Sequence, residues 1–324
     1  MDKPYSIASS PHLHSGASTR QVMLDVLIAM LPAAVASIWL FGWRAAAVEL
    51  VCVASCVAAE YLSRVVMKRP QTVGDLSCMV TGLLLAFNLP VSIPLWQAAF
   101  GGVVAIVVAK QMFGGIGHNF VNPALLGRIV LMGSFPDTMN TWAAPFAAVG
   151  ADAVSSATPL ANLAAGEPAG YELSALLTGM RPGSLGETCI LALLIGFVYL
   201  LVRRVITPTV PVLYIGTVFV LSWLISGSLN DALVQILSGG LFLGAIFMAT
   251  DYTTSPINRG GQAVFAIGCG LLTVLIRNWG SLPEGVSFAI VIMNILTPLI
   301  ERATRPMPFG ESRWAALGRR LRHE

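Results

Sequence analysis

A chain of 324 residues that is 56% hydrophobic and 11% charged does not fold as a soluble globule, because soluble domains carry about 25% charged residues. With a mean hydropathy of +0.76 it reads as a polytopic membrane protein. The net charge of +3 says little by itself, and no nucleic-acid partner is expected.

The first 20 residues are polar, and the apolar run after them is too long for the h-region of a cleavable signal peptide. His12 and His14 stand in this segment without a third ligand, so it is read as a surface that docks on a partner rather than as a metal site. Ten apolar spans follow: Val22–Phe41, Ala45–Val66, Leu76–Leu89, Leu95–Ala109, Val121–Ser134, Thr188–Val202, Val210–Ser226, Ala232–Ala249, Ala263–Ile276 and Gly285–Ile300. The third, fourth, fifth and ninth are shorter than the ~20 residues of a full span. Short segments interrupted by Gly or Pro are what broken or re-entrant helices look like. The five cysteines, Cys52, Cys56, Cys78, Cys189 and Cys269, lie in or beside apolar runs without a C-x-x-C pair, and are read as small buried thiols.

Charge sets the orientation. With the N-terminus inside and ten crossings, sixteen of the 19 Lys and Arg residues fall on cytoplasmic segments or helix ends, and only Arg44, Arg181 and Arg277 fall outside. The positive-inside rule therefore places both termini in the cytoplasm. The chain divides into a cytoplasmic segment (residues 1–21), five helices (22–134), an extracytoplasmic loop (135–186), five more helices (187–301) and a basic cytoplasmic tail (302–324). The tail, with Trp314 and Leu317, reads as a segment lying on the inner leaflet. The two halves echo each other. Thr81-Gly82-Leu83 running to Asn88-Leu89-Pro90 resembles Gly239-Gly240-Leu241 running to Asp251 and Ser255-Pro256, and Lys110 corresponds to Arg277. Five spans per half make such a repeat inverted, with functional sites expected between the halves. The expected fold is an all-α membrane protein of about ten transmembrane or half-helices in two inverted five-helix repeats.

Ionisable residues inside a membrane are functional candidates. Glu49 and Glu60 lie three turns apart on one face of the second span and are candidates for an ion path. Alternatively, Glu49 reaches water and Glu60 pairs with Arg64 at i+4. Asp25 is expected at the interface. In Gly114-Gly115-Ile116-Gly117-His118-Asn119-Phe120-Val121-Asn122-Pro123, the glycines permit close approach of a ligand, and the amides of Asn119 and Asn122 could read the edge of a flavin ring. The plainer alternative is a tight loop with Asn122 capping the helix that starts at Pro123. Asp251 and Thr254, after the eighth span, could bind a cation or a flavin, or form an ordinary turn.

The segment from about Ser134 to Gly186 is rich in small residues and poor in charge. Unstructured loops beyond about 12–15 residues are uncommon and usually functional or disordered, and a disordered one would carry more charge. Within it, Asp152-Ala153-Val154-Ser155-Ser156-Ala157-Thr158 is an exposed strip that another enzyme could grip, with the Thr158 hydroxyl as nucleophile. The run matches all six specified positions of the flavin-transferase acceptor motif: Asp, Gly or Ala, any residue, Ser or Thr, Gly or Ser, Ala, Thr. The alternative is a flexible loop in which Thr158 begins a turn before Pro159.

These features together resemble the D subunit of the Rnf electron-transport complex and its relative, the B subunit of the sodium-translocating NADH:quinone reductase. The resemblance covers essentially the whole chain. It rests on Ser10-Pro11-His12, Phe113 to Asn119, Asn122-Pro123-Ala124, the motif ending in Thr158, and Met248-Ala249-Thr250-Asp251 followed by Thr254-Ser255-Pro256. It implies a urea-transporter-like fold and FMN held by a phosphoester on Thr158, which would make the chain a phosphoprotein. Asp152, Ser155 and Ser156 would belong to the acceptor strip. It also implies a second, non-covalent flavin (riboflavin) at a position the sequence leaves open. The partners implied are the other Rnf subunits and a flavin transferase. The place implied is the bacterial inner (cytoplasmic) membrane, with the flavin loop on the periplasmic side. The function implied is electron transfer between NADH and ferredoxin coupled to Na⁺ or H⁺ translocation. The chain would act as one member of a translocase, not catalytic with NADH alone, since no G-x-G-x-x-G after a strand and no cysteine cluster occur in it. The competing class is a cofactor-free solute channel or permease of inverted-repeat type.

Overall fold

A computed structural model describes residues 18–146, 158–164, 172–280 and 284–305. These residues are helical, with no strand among those described. In chain order the elements are α1 (Thr19–Phe41), α2 (Trp43–Val66), α3 (Ser77–Phe87), α4 (Leu95–Ile106, continued by a π-helical turn Val107–Gln111), α5 (Pro123–Ser134), α6 (Pro136–Met139), α7 (Pro159–Ala164), α8 (Leu173–Thr178), α9 (Ile190–Val202), α10 (Thr209–Ser226), α11 (Leu229–Leu237), α12 (Leu241–Leu243, continued by a π-helical turn Gly244–Met248), α13 (Arg259–Trp279) and α14 (Val286–Thr304).

Each predicted apolar span falls on helix, nine of them on a single element and the eighth on two. Among the described residues five helices are long and apolar enough to cross a membrane, α11 and α12 form a pair bent by 61°, and α3, α4, α5 and α9 are shorter apolar helices. Two expectations are corrected. The ninth span is long, 21 residues, because the polar start Arg259-Gly260-Gly261-Gln262 is helical, with the Asn258 side chain accepting from the Gly261 N–H as N-cap. The eighth span is the broken one. Gly239 has φ +67°, a conformation that glycine adopts without a Cβ penalty. The chain turns there between α11 and α12.

The helices assemble as two groups. In one, α2 packs on α3 and α4, and α4 on α5; in the other, α10 packs on α11 and α13, and α13 on α14. The groups meet along α1 with α9 and along α5 with α14. Close approach depends on missing side chains: a Cβ on Gly82 of α3 would come within 2.7 Å of Val53 Cα on α2. The core is continuous through both groups, from Met30 and Phe87 to Tyr214 and Phe265. Large apolar side chains such as Trp39, Leu50, Val66 and Leu224 face outward. That exterior suits hydrocarbon, where a helix satisfies its own backbone and apolar side chains need no cover.

Two basic side chains tie neighbouring elements together. Lys110, at the end of α4, reaches Ser77 at the start of α3, its Nζ donating to Ser77 Oγ at 2.6 Å. Arg277, near the end of α13, donates to the carbonyls of Gln235 (2.6 Å) in α11 and of Ser238 (3.3 Å) just after it.

Candidate functional site

A cavity of about 380 Å³ opens between the two helix groups, lined from α1, α3, the π turn after α4, the start of α5, α9 and the π turn after α12. Its apolar walls include Val22, Met23, Leu84, Leu200 and Phe247. Its polar edge carries Ser77, Lys110, Asn119, Asn122, Asp251 and Thr253. A volume in the range of ~300–1,000 Å³ with a few converging polar groups is the usual form of a small-molecule site.

Local structure explains the polar edge. Gly114, Gly115 and Gly117 all have positive φ, and they turn the chain from the π turn back toward α5. Asn122 caps α5 as expected, its Oδ1 accepting from Ala124 N (3.0 Å) and Leu125 N (3.4 Å). It also crosses between the groups, donating from Nδ2 to Met248 O (3.4 Å). Asn119 donates to Val121 O (3.2 Å), while Asp251 accepts from the Thr253 hydroxyl (3.1 Å). Removal from water pushes the Asp251 carboxyl up, against hydrogen bonds from Thr253, Thr254 and Asn119. Thr254 is buried and faces a neighbouring cavity of about 260 Å³ with Asn294 and Thr297. Asn294 links the two places, accepting from Asn122 N–H and donating to Thr254 O, each at 3.2 Å.

Beneath the cavity lies an ion pair that sequence reasoning assigned differently. Glu60 pairs with Lys110 (3.0 Å), not with Arg64, and also accepts from Thr72 Oγ1 (2.6 Å). The Arg64 guanidinium lies against Gly115 instead. Glu60 is 0% and Lys110 3% exposed. Breaking a buried pair from one side leaves a charge uncompensated and costs about 3–5 kcal/mol. Lys110→Met is therefore expected to lower the melting temperature of the purified protein clearly, with part of the loss recovered in Lys110→Met/Glu60→Gln. Glu49 is buried and accepts from Ser37 of α1. Although one face of α2 carries both carboxylates, they meet different neighbours. Asp25 pairs with Arg203 (3.2 Å) and accepts from Tyr199 Oη (2.9 Å).

The second polar centre surrounds Gly239 and Gly240. Arg128, buried in the body of α5, donates to Asn88 Oδ1 (2.7 Å) and pairs with Glu284. A Cβ on Gly240 would stand 3.0 Å from Glu187 Oε2, and one on Gly239 would stand 3.0 Å from Arg277 Nη2. Arg181 donates to Glu187 O at 2.8 Å. Arg128, which the charge pattern alone groups with the cytoplasmic helix ends, therefore sits with Arg181 and Arg277. Moving it leaves fifteen against four, and the charge bias persists. Arg128, Glu187 and Glu284 were not singled out from sequence. Arg128 offered a signal, a charge in the interior of a predicted span.

Thr158 borders this centre. Its Oγ1 accepts from Ala161 N–H (3.2 Å) at the start of α7, and the residue is partly exposed. α7 packs on α11, and a Cβ on Gly239 would meet Leu160 Cδ1 at 2.7 Å. A path of neighbouring residues runs from here to the cavity: Leu160, Gly239, Glu284, Arg128, Asn88, Met248 and Asn122. Asn88 Nδ2 lies 3.7 Å from Met248 Sδ. Asp152, Ser155 and Ser156 lie outside the described residues. Among the described residues no group of three or more His, Cys, Asp or Glu side chains could hold a metal ion.

Fold and site define a multi-pass helical membrane protein with a polar cavity between two helix groups and a hydroxyl-bearing loop at a broken helix. Residues 6–310 match the model of the NQR2, RnfD, RnfE family, and the chain belongs to that family. It is 44% identical over 310 residues to the D subunit of the Na(+)-translocating ferredoxin:NAD(+) oxidoreductase complex of Acetobacterium woodii, covering 94% of this chain and 95% of that one. It is 41% identical to the D subunit of the proton-translocating ferredoxin:NAD(+) oxidoreductase complex of Clostridium ljungdahlii, covering 95% and 97%. It is 39% identical to the D subunit of the ion-translocating oxidoreductase complex of Stutzerimonas stutzeri, covering 91% and 93%.

Proposed function

We propose that the chain is the flavin-carrying membrane subunit of an ion-translocating redox complex that moves electrons between NADH and ferredoxin. In this reading its helices form two inverted five-helix repeats, its termini face the cytoplasm, and the Thr158 loop faces the periplasm. FMN is held by a phosphoester on Thr158, placed there by a flavin transferase, and a second, non-covalent flavin sits in the cavity. The observation that carries the reading is the seating of Thr158. The full acceptor motif ends on a partly exposed hydroxyl, anchored by Leu160 against the broken helix at Gly239.

The residues present fit both groups. The Thr158 hydroxyl accepts a hydrogen bond and leaves a lone pair and its proton free for chemistry. The cavity offers apolar walls for a flat ring and the amides of Asn119 and Asn122 for its polar edge. Flavin supplies one- and two-electron steps, and the protein's part is to orient it and set its surroundings. The covalent tether holds one group at the loop without requiring tight non-covalent binding, an effective-concentration gain. Asn122 positions the cavity edge while joining α5 to Met248, and Lys110 places a buried cation at that edge. The relatives' names specify sodium in one case and protons in another at nearly equal identity, so identity does not select the ion.

The test is to precipitate the purified complex with acid and measure flavin in both fractions. Protein-bound flavin in the pellet and free flavin in the supernatant are expected. A preparation without flavin in either fraction, made beside an active transferase, overturns the reading in favour of a channel, to be followed by solute flux in vesicles.

A further inference from the structure

The centre around Gly239 and Gly240 holds more charge than a structural brace needs. Arg128 comes from α5, Arg181 and Glu187 from the segment before α9, Arg277 from α13, and Glu284 from the segment before α14. Tyr214 of α10 faces Arg277, and Asn88 at the end of α3 completes the surroundings.

The Glu187 and Glu284 carboxyls converge on the Gly239–Gly240 turn: a Cβ on Gly240 would stand 3.0 Å from Glu187 Oε2, and one on Gly239 would stand 3.3 Å from Glu284 Oε1. Two buried carboxylates drawn this close repel each other, which favours keeping one of them protonated. Arg128 pairs with Glu284 and holds it ionised. Glu187 accepts from Ser184 N–H at Oε1 (3.1 Å), while its Oε2 meets no other donor among the described residues. The free position for the proton is therefore Glu187 Oε2. Burial first, and then the Glu284 charge, pushes the Glu187 carboxyl up to about 7.

We propose that Glu187 and Glu284 share one proton and form a proton-binding site of this protein, loaded from and released to water beside the Thr158 loop. Release breaks the Glu187 O–H bond and passes the proton to water. It leaves two carboxylates facing Arg128, Arg181 and Arg277, and no electron moves. An exit exists: the Glu284 side chain is 13% exposed. Ser184 Oγ, Thr188 Oγ1 and Ser238 Oγ are buried without a partner among the described residues, and such hydroxyls draw water and relay protons. The link to redox work rests on the function proposed above. Negative charge gained in the Thr158 loop favours loading, and its loss favours release.

The sign in pH follows from linkage. The folded carboxyl holds its proton to about 7 and the free one only to 4.5. The folded state binds more protons between those values, so stability falls as pH rises through that window. Glu187→Gln keeps an amide donor toward Glu284 and should flatten that slope.

The experiment is an infrared titration of the purified complex, followed through the C=O stretch of protonated carboxyl. Parent, Glu187→Gln and the exposed control Glu172→Gln are compared, each also in a Thr158→Ala background. A band that titrates near 7 in the parent and control and is missing from Glu187→Gln is expected. If subtracting the Glu187→Gln spectrum from that of the parent at pH 6 leaves no such band, the proposal is overturned. If Glu187→Gln does not assemble, Glu284→Gln removes the neighbouring charge. It should lower the midpoint by about one pH unit or more, and an unchanged midpoint overturns the proposal. The band should also titrate in the Thr158→Ala complex, where its presence is independent of the flavin reading and only its response to added reductant should vanish.

Discussion

Arg128→Met is expected to leave little folded protein in the membrane. Arg128 is 2% exposed and joins three parts of the chain: α5, the Asn88 turn that ends α3, and the segment carrying Glu284 before α14. Met keeps much of the apolar stem but removes the charge. Glu284 then loses its direct partner while still facing Glu187, and the Asn88 carbonyl oxygen loses its donor. Removing one side of a buried pair costs about 3–5 kcal/mol, against a total of about 5–15 kcal/mol for a typical domain. Thermal melting in detergent, read from the monodisperse fraction of a fluorescent fusion, checks this. Arg128→Met/Glu284→Gln should regain part of the loss. A single variant that melts like the parent would show that α5 and α14 hold together without the pair.

Thr158→Ala is expected to carry the largest functional effect. The substitution removes one hydroxyl at the start of α7 and leaves Leu160, the residue that packs toward Gly239, in place. Loss of the cap costs about 1 kcal/mol, too little to prevent assembly. NADH–ferredoxin electron exchange by the whole complex should nevertheless fall by about 100-fold or more, since an orienting group for the cofactor is lost and not merely weakened. Thr158→Ser, which keeps a hydroxyl nucleophile, should restore attachment at least in part. Activity at the parental level in the alanine variant, with the complex intact, would place electron flow elsewhere.

The order of the helices was legible because each apolar run is bounded by charge or by Gly and Pro, and all ten predicted spans have a counterpart. Their lengths were less legible. Arg259 to Gln262 look like loop on hydropathy but are helical, capped by Asn258, while the run from Ala232 to Ala249 looks continuous but breaks at Gly239. Asn122 was legible as a cap, because Asn before Pro is a local helix-start signal. The charge partners were not. Glu60 has Arg64 at i+4, yet it pairs with Lys110, fifty residues away. Arg128 pairs with Glu284 across the seam between α5 and α14. Such pairs depend on which helix faces which, and that is set by tertiary packing instead of by local pattern.

The most direct measurement is in-gel flavin fluorescence of the denatured chain, co-expressed with an active flavin transferase, for the parent and Thr158→Ala. Denaturation strips any flavin that is not covalently attached, so the band reports the phosphoester alone. A fluorescent parent band that is absent in Thr158→Ala is the result expected of a flavin carried on Thr158. A dark parent band, with a control substrate labelled by the same transferase, contradicts the account, and a band that persists in Thr158→Ala moves the flavin to another residue.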